Sequence, residues 1–162
     1  MSNIEWTGET WNTIVGCSVV SPGCTNCYAM RQAHRHAHNP KTPHYHGTTQ
    51  ASRGGPVWTG KVGFSKTALL KPLQRKKPQT YFVNSMGDLF HPNVPDAWID
   101  RVFAVMALCP QHTFQVLTKQ PANMREYLDL KNGTFDRIVM RMIELTKTDG
   151  WPTVKETCEK HG

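Results

Sequence analysis

The sequence predicts one α/β domain over residues 1–162, built on parallel strands. Two β-branched and aromatic runs, at 80–84 and 113–118, are each followed by a segment with helical periodicity. The segments between them are short, and strand–helix–strand order with short links is typical of parallel strands joined by crossovers. The chain is also long enough to bury one hydrophobic core.

In the first half of the chain, turn-forming residues separate the predicted elements. A short strand is predicted over 11–15, followed by a helix over 28–38 with Asn26 as its N-cap. Residues 39–56 are rich in Pro, Gly, Ser and Thr and are predicted to form one long loop. A further short strand is predicted over 60–64.

In the second half, the strand at 80–84 ends in a turn of small residues, and a helix begins at Pro95 and Asp96. After the strand at 113–118, a helix is predicted over 121–128. A last helix is predicted from apolar residues at helical spacing: Phe135, Ile138, Val139 and Met142. Residues 148–162 are predicted to form a C-terminal tail.

The net charge of +7 is concentrated in the first half of the chain. Residues 1–80 contain ten Lys or Arg and two Asp or Glu, whereas residues 81–162 contain nine and ten. The densest basic patch consists of Lys71, Arg75, Lys76 and Lys77. A basic face attracts polyanions, so nucleic acid is the expected partner of this half. A solvated surface or an acidic protein partner are the alternatives.

Nothing in the sequence predicts contact with a membrane or export. No run of about 18 apolar residues occurs, so the sequence predicts no membrane-spanning helix. The first residues also lack a basic segment followed by an apolar one, so a cytoplasmic protein is expected. In a reducing compartment, the five cysteines indicate metal or cluster ligation, or inert thiols, rather than disulfides.

Three of the five cysteines, Cys17, Cys24 and Cys27, lie close together with the spacing C-x6-C-x2-C. Three thiolates are one too few for a closed tetrahedral zinc site. They suit a [4Fe–4S] cluster held at three corners, with one iron open. The alternative is a structural zinc site completed by a nearby histidine. Its candidates are His34, His36, His38, His44 and His46.

Polar residues follow the predicted parallel strands, where α/β folds carry their functional groups. Asp88 and His91 follow the strand at 80–84, and Lys119 follows the strand at 113–118. We expect them to lie near the cysteines and to contact a cofactor or substrate. The structural alternatives are that Asp88 caps its own turn and that Lys119 extends into solvent.

Four segments resemble a phage- and prophage-borne family of radical S-adenosylmethionine-like proteins, some found beside three-Cys-motif partner proteins. The segments are IEWTGETWN, GCSVVSPGCTNCYA, FVNSMGDLFH and FQVLTKQP, within residues 4–124. The resemblance implies a partial, half barrel of the triosephosphate-isomerase type, with three to four βα units. It also implies a [4Fe–4S] cluster on the three cysteines and S-adenosylmethionine at the open iron.

By comparison with radical S-adenosylmethionine enzymes, Asn84, Ser85, Gly87 and Asp88 are the predicted cofactor loop, with Lys119 as a further contact. Two features depart from the pattern. The first cysteine gap is six residues where most such enzymes have three. The chain also offers fewer strands than its relatives, which predicts a truncated barrel whose open sheet edge a protein partner completes.

The leading hypothesis is a phage-encoded radical S-adenosylmethionine-like iron–sulfur protein of the host cytosol that modifies nucleic acid or protein. The enzyme class stays open at this point. One alternative is a non-catalytic, zinc-stabilised module that binds nucleic acid or protein. Another is a truncated, inactive relative of the family.

Overall fold

A computed structural model describes residues 7–147 as a mixed α/β structure. The strands are β1 (Glu9–Trp11), β2 (Ile14–Val15), β3 (Thr49–Gln50), β4 (Val57–Trp58), β5 (Gly63–Phe64), β6 (Thr80–Val83) and β7 (Thr113–Val116). The helices are α1 (Tyr28–Ala37), α2 (Lys66–Leu69), α3 (Asp96–Ala107), α4 (Pro121–Leu128) and α5 (Thr134–Lys147). In this range no helix is both long enough and apolar enough to cross a membrane.

The central sheet is parallel, with the strand order β1-β6-β7. Its register aligns Trp11 with Val83 and Val83 with Val116. Two short antiparallel pairs, β2 with β5 and β3 with β4, lie outside this sheet. The predicted α/β class with parallel strands is therefore confirmed.

The main core lies between the parallel sheet and the helices that follow its strands. Trp11 and Tyr81 are fully buried there, and both rings pack on the Phe114 ring. The Trp11 indole N–H donates to the carbonyl of Ala68 at 2.8 Å, so its polar edge is satisfied inside the core. The same core includes apolar side chains of α3, namely Ile99, Val102 and Val105.

The strand predicted over 11–15 is divided into β1 and β2, because a side chain from elsewhere in the chain binds its backbone. Asn84 Oδ1 accepts hydrogen bonds from the backbone N–H groups of Thr13 and Ile14, both at 3.1 Å. These N–H groups are thereby unavailable to a sheet partner. Asn84 itself has a φ of 57°, a left-handed conformation that Asn tolerates better than most residues.

Two other predictions need correction. The N-cap of α1 is Cys27, which makes no side-chain capping bond, and not Asn26. The predicted loop over 39–56 contains a 3-10 turn at Pro43–Tyr45 and the strand β3. The tail predicted over 148–162 lies outside the described residues.

A buried carboxylate joins the last three helices. Asp100 of α3 is 1% exposed and accepts a hydrogen bond from the Tyr127 hydroxyl of α4 at 2.9 Å. Arg137 of α5 donates to the same carboxylate at 3.2 Å from its Nε. Burial, and then the hydrogen bond to Asp100, raise the pKa of Tyr127.

We expect Asp100→Ala to lower the free energy of unfolding by about 3 kcal/mol, because the buried Tyr127 hydroxyl loses its acceptor and Arg137 loses its buried counter-ion. Urea unfolding followed by circular dichroism measures this loss. Asp136→Ala, an exposed carboxylate on α5, is the matched control and should change stability by less than about 1 kcal/mol. Equal losses in the two variants would contradict this account of Asp100.

Candidate functional site

The three cysteines line one pocket with residues that follow the parallel strands. The pocket has a volume of about 310 Å³. Its wall includes Gly87 and Asp88, which come after β6, and Lys119, which comes after β7. The remaining lining residues are Ser18, Val20, Trp58, Leu117, Thr118 and Gln120. Cys17, Cys24, Cys27, Gly87, Asp88 and Lys119 were predicted from the sequence, and the structure brings these six together.

Residues 16–27, between β2 and α1, carry the three cysteines and are called the cysteine loop. This loop reaches the pocket through a close backbone approach. Gly16 forms a parallel bridge with Gly87, and its N–H donates to the carbonyl of Met86 at 3.0 Å. A Cβ added to Gly87 would lie 2.9 Å from the Gly16 carbonyl oxygen and 3.0 Å from that of Ile14. Only a residue without a side chain allows these two segments to lie side by side.

Asp88 ties the turn after β6 to the end of β7. Its Oδ1 accepts from the Thr118 hydroxyl at 2.7 Å and from the Phe90 backbone N–H at 3.0 Å. Its Oδ2 accepts from the Lys119 backbone N–H at 2.9 Å. The bond from the Phe90 N–H is the turn cap that was the structural alternative for Asp88. The bonds from Thr118 and Lys119 also fix the backbone after β7 that carries Lys119.

Asn84 and Ser85, the other two predicted cofactor residues, are not among the residues of the described chain that line the pocket. Asn84 is 3% exposed and its Oδ1 binds the backbone between β1 and β2. The Ser85 hydroxyl lies 3.0 Å from Oδ1 of Asn12, to which it donates. In this structure both side chains bind residues 12–14, between β1 and the start of β2, and β2 ends two residues before Cys17.

The three cysteine thiols have different surroundings. Burial by itself would raise the pKa of Cys24. Hydrogen bonds from Ser21, from the backbone and from the Lys119 ammonium outweigh this effect and lower the pKa to about 7. Lys119 Nζ lies 3.4 Å from Cys24 Sγ. For Cys17 burial is the largest effect and raises the pKa to about 11. Cys24 is therefore a thiolate in a large fraction of molecules at neutral pH.

In metal-free protein, iodoacetamide should alkylate Cys24 at a rate that rises with pH and is half-maximal near pH 7, because the thiolate is the nucleophile. Cys17 and Cys109, whose pKa values burial raises to about 11 and about 12, should react slowly over the same range. Peptide mass spectrometry after timed quenching measures each site. Lys119→Met should move the Cys24 midpoint upward, and an unchanged midpoint would contradict the role given to Lys119.

His91 supports the cysteine loop from the side of α3. It is 3% exposed, and its Nδ1 accepts the backbone N–H of Asn93 at 3.1 Å. The proton of the neutral ring is then on Nε2, which donates to the Ser18 hydroxyl at 2.8 Å. Burial lowers the pKa of His91 and favours this neutral form. Ser18 was not predicted, although its place beside Cys17 is a signal that could have identified it.

Four histidines of α1 and the following turns contact a hydroxyl, a backbone carbonyl or an aromatic ring. His34 Nδ1 lies 3.1 Å from the Thr49 hydroxyl, and His38 Nδ1 lies 2.7 Å from the His34 carbonyl. The rings of His36 and His44 both pack on Tyr45. Across residues 7–147, no three His, Cys, Asp or Glu side chains are grouped in a way that could hold a single metal ion.

The predicted basic patch is partly neutralised. Glu9 forms ion pairs with Lys71 and, at 3.4 Å, with Arg75. Lys76 and Lys77 are exposed. The sequence placed these four cations near one another, but it carried no signal that a glutamate more than sixty residues away would pair with two of them.

Comparison with curated proteins and with solved structures gives no match. A family model does match, over residues 1–156, and its description is a protein of unknown function, DUF5131. This match covers nearly the whole chain, including the cysteine loop and every residue of the pocket. The chain therefore belongs to the DUF5131 family.

Proposed function

We propose that this chain is an iron–sulfur protein of the radical S-adenosylmethionine type, of phage or prophage origin, in which Cys17, Cys24 and Cys27 bind a [4Fe–4S] cluster. The observation that carries the proposal is that three thiols line one pocket at the carboxyl ends of a parallel sheet. Ligands and cofactors bind at this end of parallel sheets in α/β proteins.

The donor set suits such a cluster. In a cubane each thiolate binds a different iron, so three ligands do not need to meet at one point. Ligation requires deprotonated thiols, and the lowered pKa of Cys24 makes it readier than Cys17 to offer a thiolate. Lys119, 3.4 Å from Cys24 Sγ, offsets negative charge that collects at this wall of the pocket.

When bound, the cluster and S-adenosylmethionine supply one-electron cleavage of a carbon–sulfur bond and a carbon-centred radical. The residues of this chain would bind the cluster and the cofactor and orient them. At Gly87 the pocket wall consists of backbone atoms only. Lys119 places an ammonium at the same pocket, where the carboxylate of an amino-acid cofactor can pair with it. Asp88 fixes the backbone that carries Lys119.

The small parallel sheet supports a partial barrel as the wider architecture. Within the described residues, β7 pairs with β6 and forms one edge of the central sheet. Exposed edges of this kind are usually covered. We therefore propose a protein partner that extends the sheet beyond β7, and a substrate, either nucleic acid or protein, bound between the two.

A structural zinc site completed by a histidine is the competing proposal. Two of its candidate ligands already use a ring nitrogen elsewhere, His34 on Thr49 and His38 on a backbone carbonyl. The nearby His91 uses both ring nitrogens, on Asn93 and Ser18. His91 therefore has no ring nitrogen left for zinc, whereas the Nδ1 contacts of His34 and His38 leave Nε2 of each ring for a metal, as is usual for histidine ligands. The metal content of the protein decides between the two proposals.

Metal analysis of protein purified without oxygen tests the proposal. We expect about four irons and about four sulfides per chain after reconstitution. Cys17→Ala, Cys24→Ala and Cys27→Ala should each lower the iron content, whereas Cys109→Ala, which changes a buried thiol of the main core, should not. About one zinc with no iron, or unchanged iron in Cys17→Ala, would contradict it.

A further inference from the structure

A second concave surface is lined mostly by basic and polar residues. It is a groove of about 780 Å³ between the 3-10 turn Pro43–Tyr45, the end of β5 and the helix α2. We call it the basic groove. The lining residues that matter to the argument are Lys41, His44, Phe64, Lys66, Lys71 and Gln74.

Positive charge is concentrated in the basic groove. Its three lysines are exposed, and no acidic side chain is among the lining residues in the part of the chain that the structure describes. Lys71 is paired with Glu9, which lies outside the lining. Lys41 and Lys66 form no ion pair within residues 7–147. Both ammonium groups are therefore available to an anion.

The basic groove also contains a fixed aromatic ring. Phe64 is half-buried and stacks on Trp98, with ring centroids 5.1 Å apart and an interplanar angle of 29°. Because Phe64 also lines the basic groove, part of this fixed ring faces the groove, and contact with a ligand there would cost little side-chain freedom. Aromatic rings beside lysines are the usual means by which proteins hold unpaired bases and their phosphates.

We propose that the basic groove binds single-stranded nucleic acid, with phosphates on Lys41 and Lys66 and a base on Phe64. A chain of phosphates suits the groove better than one phosphate, because Arg75 pairs with the same glutamate as the groove residue Lys71 and is followed along the chain by the exposed Lys76 and Lys77. A single strand suits it better than a duplex, because only unpaired bases expose a face for stacking. The proposal does not depend on the cysteine pocket.

Fluorescence anisotropy with a labelled 20-nucleotide single strand tests this inference. The double variant Lys41→Gln/Lys66→Gln should bind about tenfold more weakly at 50 mM salt. It should also reduce the slope of log K against log salt by roughly 1.4, since each lost contact to a single strand contributes about 0.7. The control Lys131→Gln/Lys147→Gln removes the same charge from exposed positions in the second half and should bind like the parent.

A second variant tests stacking separately from charge. Phe64→Leu should weaken binding of the oligonucleotide several-fold and leave binding of inorganic polyphosphate unchanged. The inference is overturned if the single strand does not bind at low salt, or if the control double variant weakens binding as much as the groove variant. It is also overturned if Phe64→Leu has no effect, or if a duplex or polyglutamate binds as tightly as the single strand. If a groove variant keeps the iron content of the parent, its weaker binding of nucleic acid comes from the groove and not from loss of the cluster.

Discussion

Replacing Gly87 with alanine should destabilise the protein by about 2 kcal/mol and displace the cysteine loop. The new Cβ would lie 2.9 Å from the Gly16 carbonyl oxygen, 3.0 Å from the Ile14 carbonyl oxygen and 3.1 Å from Val15 Cα. All three are backbone atoms, so the contact cannot be relieved by turning a side chain. Overpacking of this kind costs about 1–3 kcal/mol.

Thermal unfolding and iron binding measure the two consequences of Gly87→Ala. The midpoint should fall by roughly 4–8 °C, and reconstituted iron should fall with it, because Gly16 immediately precedes Cys17. Gly54→Ala is the matched control, since a Cβ there meets nothing within 4 Å. If Gly87→Ala unfolds at the parent temperature with full iron content, the close approach does not position the cysteines.

Asp88→Asn should lower the free energy of unfolding by about 3 kcal/mol, although the two side chains have nearly the same shape. The carboxylate accepts three hydrogen bonds, each worth about 1.5–3 kcal/mol when the acceptor is charged. An asparagine that keeps its oxygen toward Phe90 and Thr118 would turn an N–H toward the Lys119 backbone N–H. Two donors would then face each other in a buried position.

Thr118→Val provides the graded comparison for Asp88→Asn. It removes one of the three donors and should cost about 1 kcal/mol, measured by the same urea titration. Equilibrium dialysis of S-adenosylmethionine with the reconstituted protein should show weaker binding in Asp88→Asn, because Lys119 loses its fixed backbone. Stability and cofactor binding that both equal the parent would contradict the role assigned to Asp88.

The parallel strands were predictable because each is specified by its own local pattern. Residues 80–83 and 113–116 carry β-branched and aromatic side chains, and a helix follows each of them. The division of the first strand was not predictable, because its cause is Asn84, about seventy residues away. Contacts across that sequence distance leave no periodic signal in either segment.

The position of the candidate site was predictable from topology, but the roles of its residues were not. The carboxyl ends of parallel strands meet at one edge, so Cys17, Asp88 and Lys119 were expected to be neighbours. Whether an oxygen faces a pocket or a backbone depends on packing. Asn84 and Ser85 offer suitable oxygens, and in the folded chain both bind the loop between β1 and β2.

The lowered pKa of Cys24 illustrates the same limit. One of its causes is Lys119, which lies 95 positions further along the chain. The spacing C-x6-C-x2-C identified three thiols that belong together, but it could not rank them. Only the folded structure separates Cys24 from Cys17, whose thiol burial keeps protonated.

Electron paramagnetic resonance of the reduced, reconstituted protein, recorded with and without S-adenosylmethionine, tests the central claim most directly. We expect a [4Fe–4S] signal that changes when the cofactor is added, because three cysteines leave one iron open to it. The Cys24→Ala variant should lose the signal, and Cys109→Ala should keep it. A signal that the cofactor leaves unchanged, or zinc in place of iron, would contradict the claim that Cys17, Cys24 and Cys27 hold an open cluster.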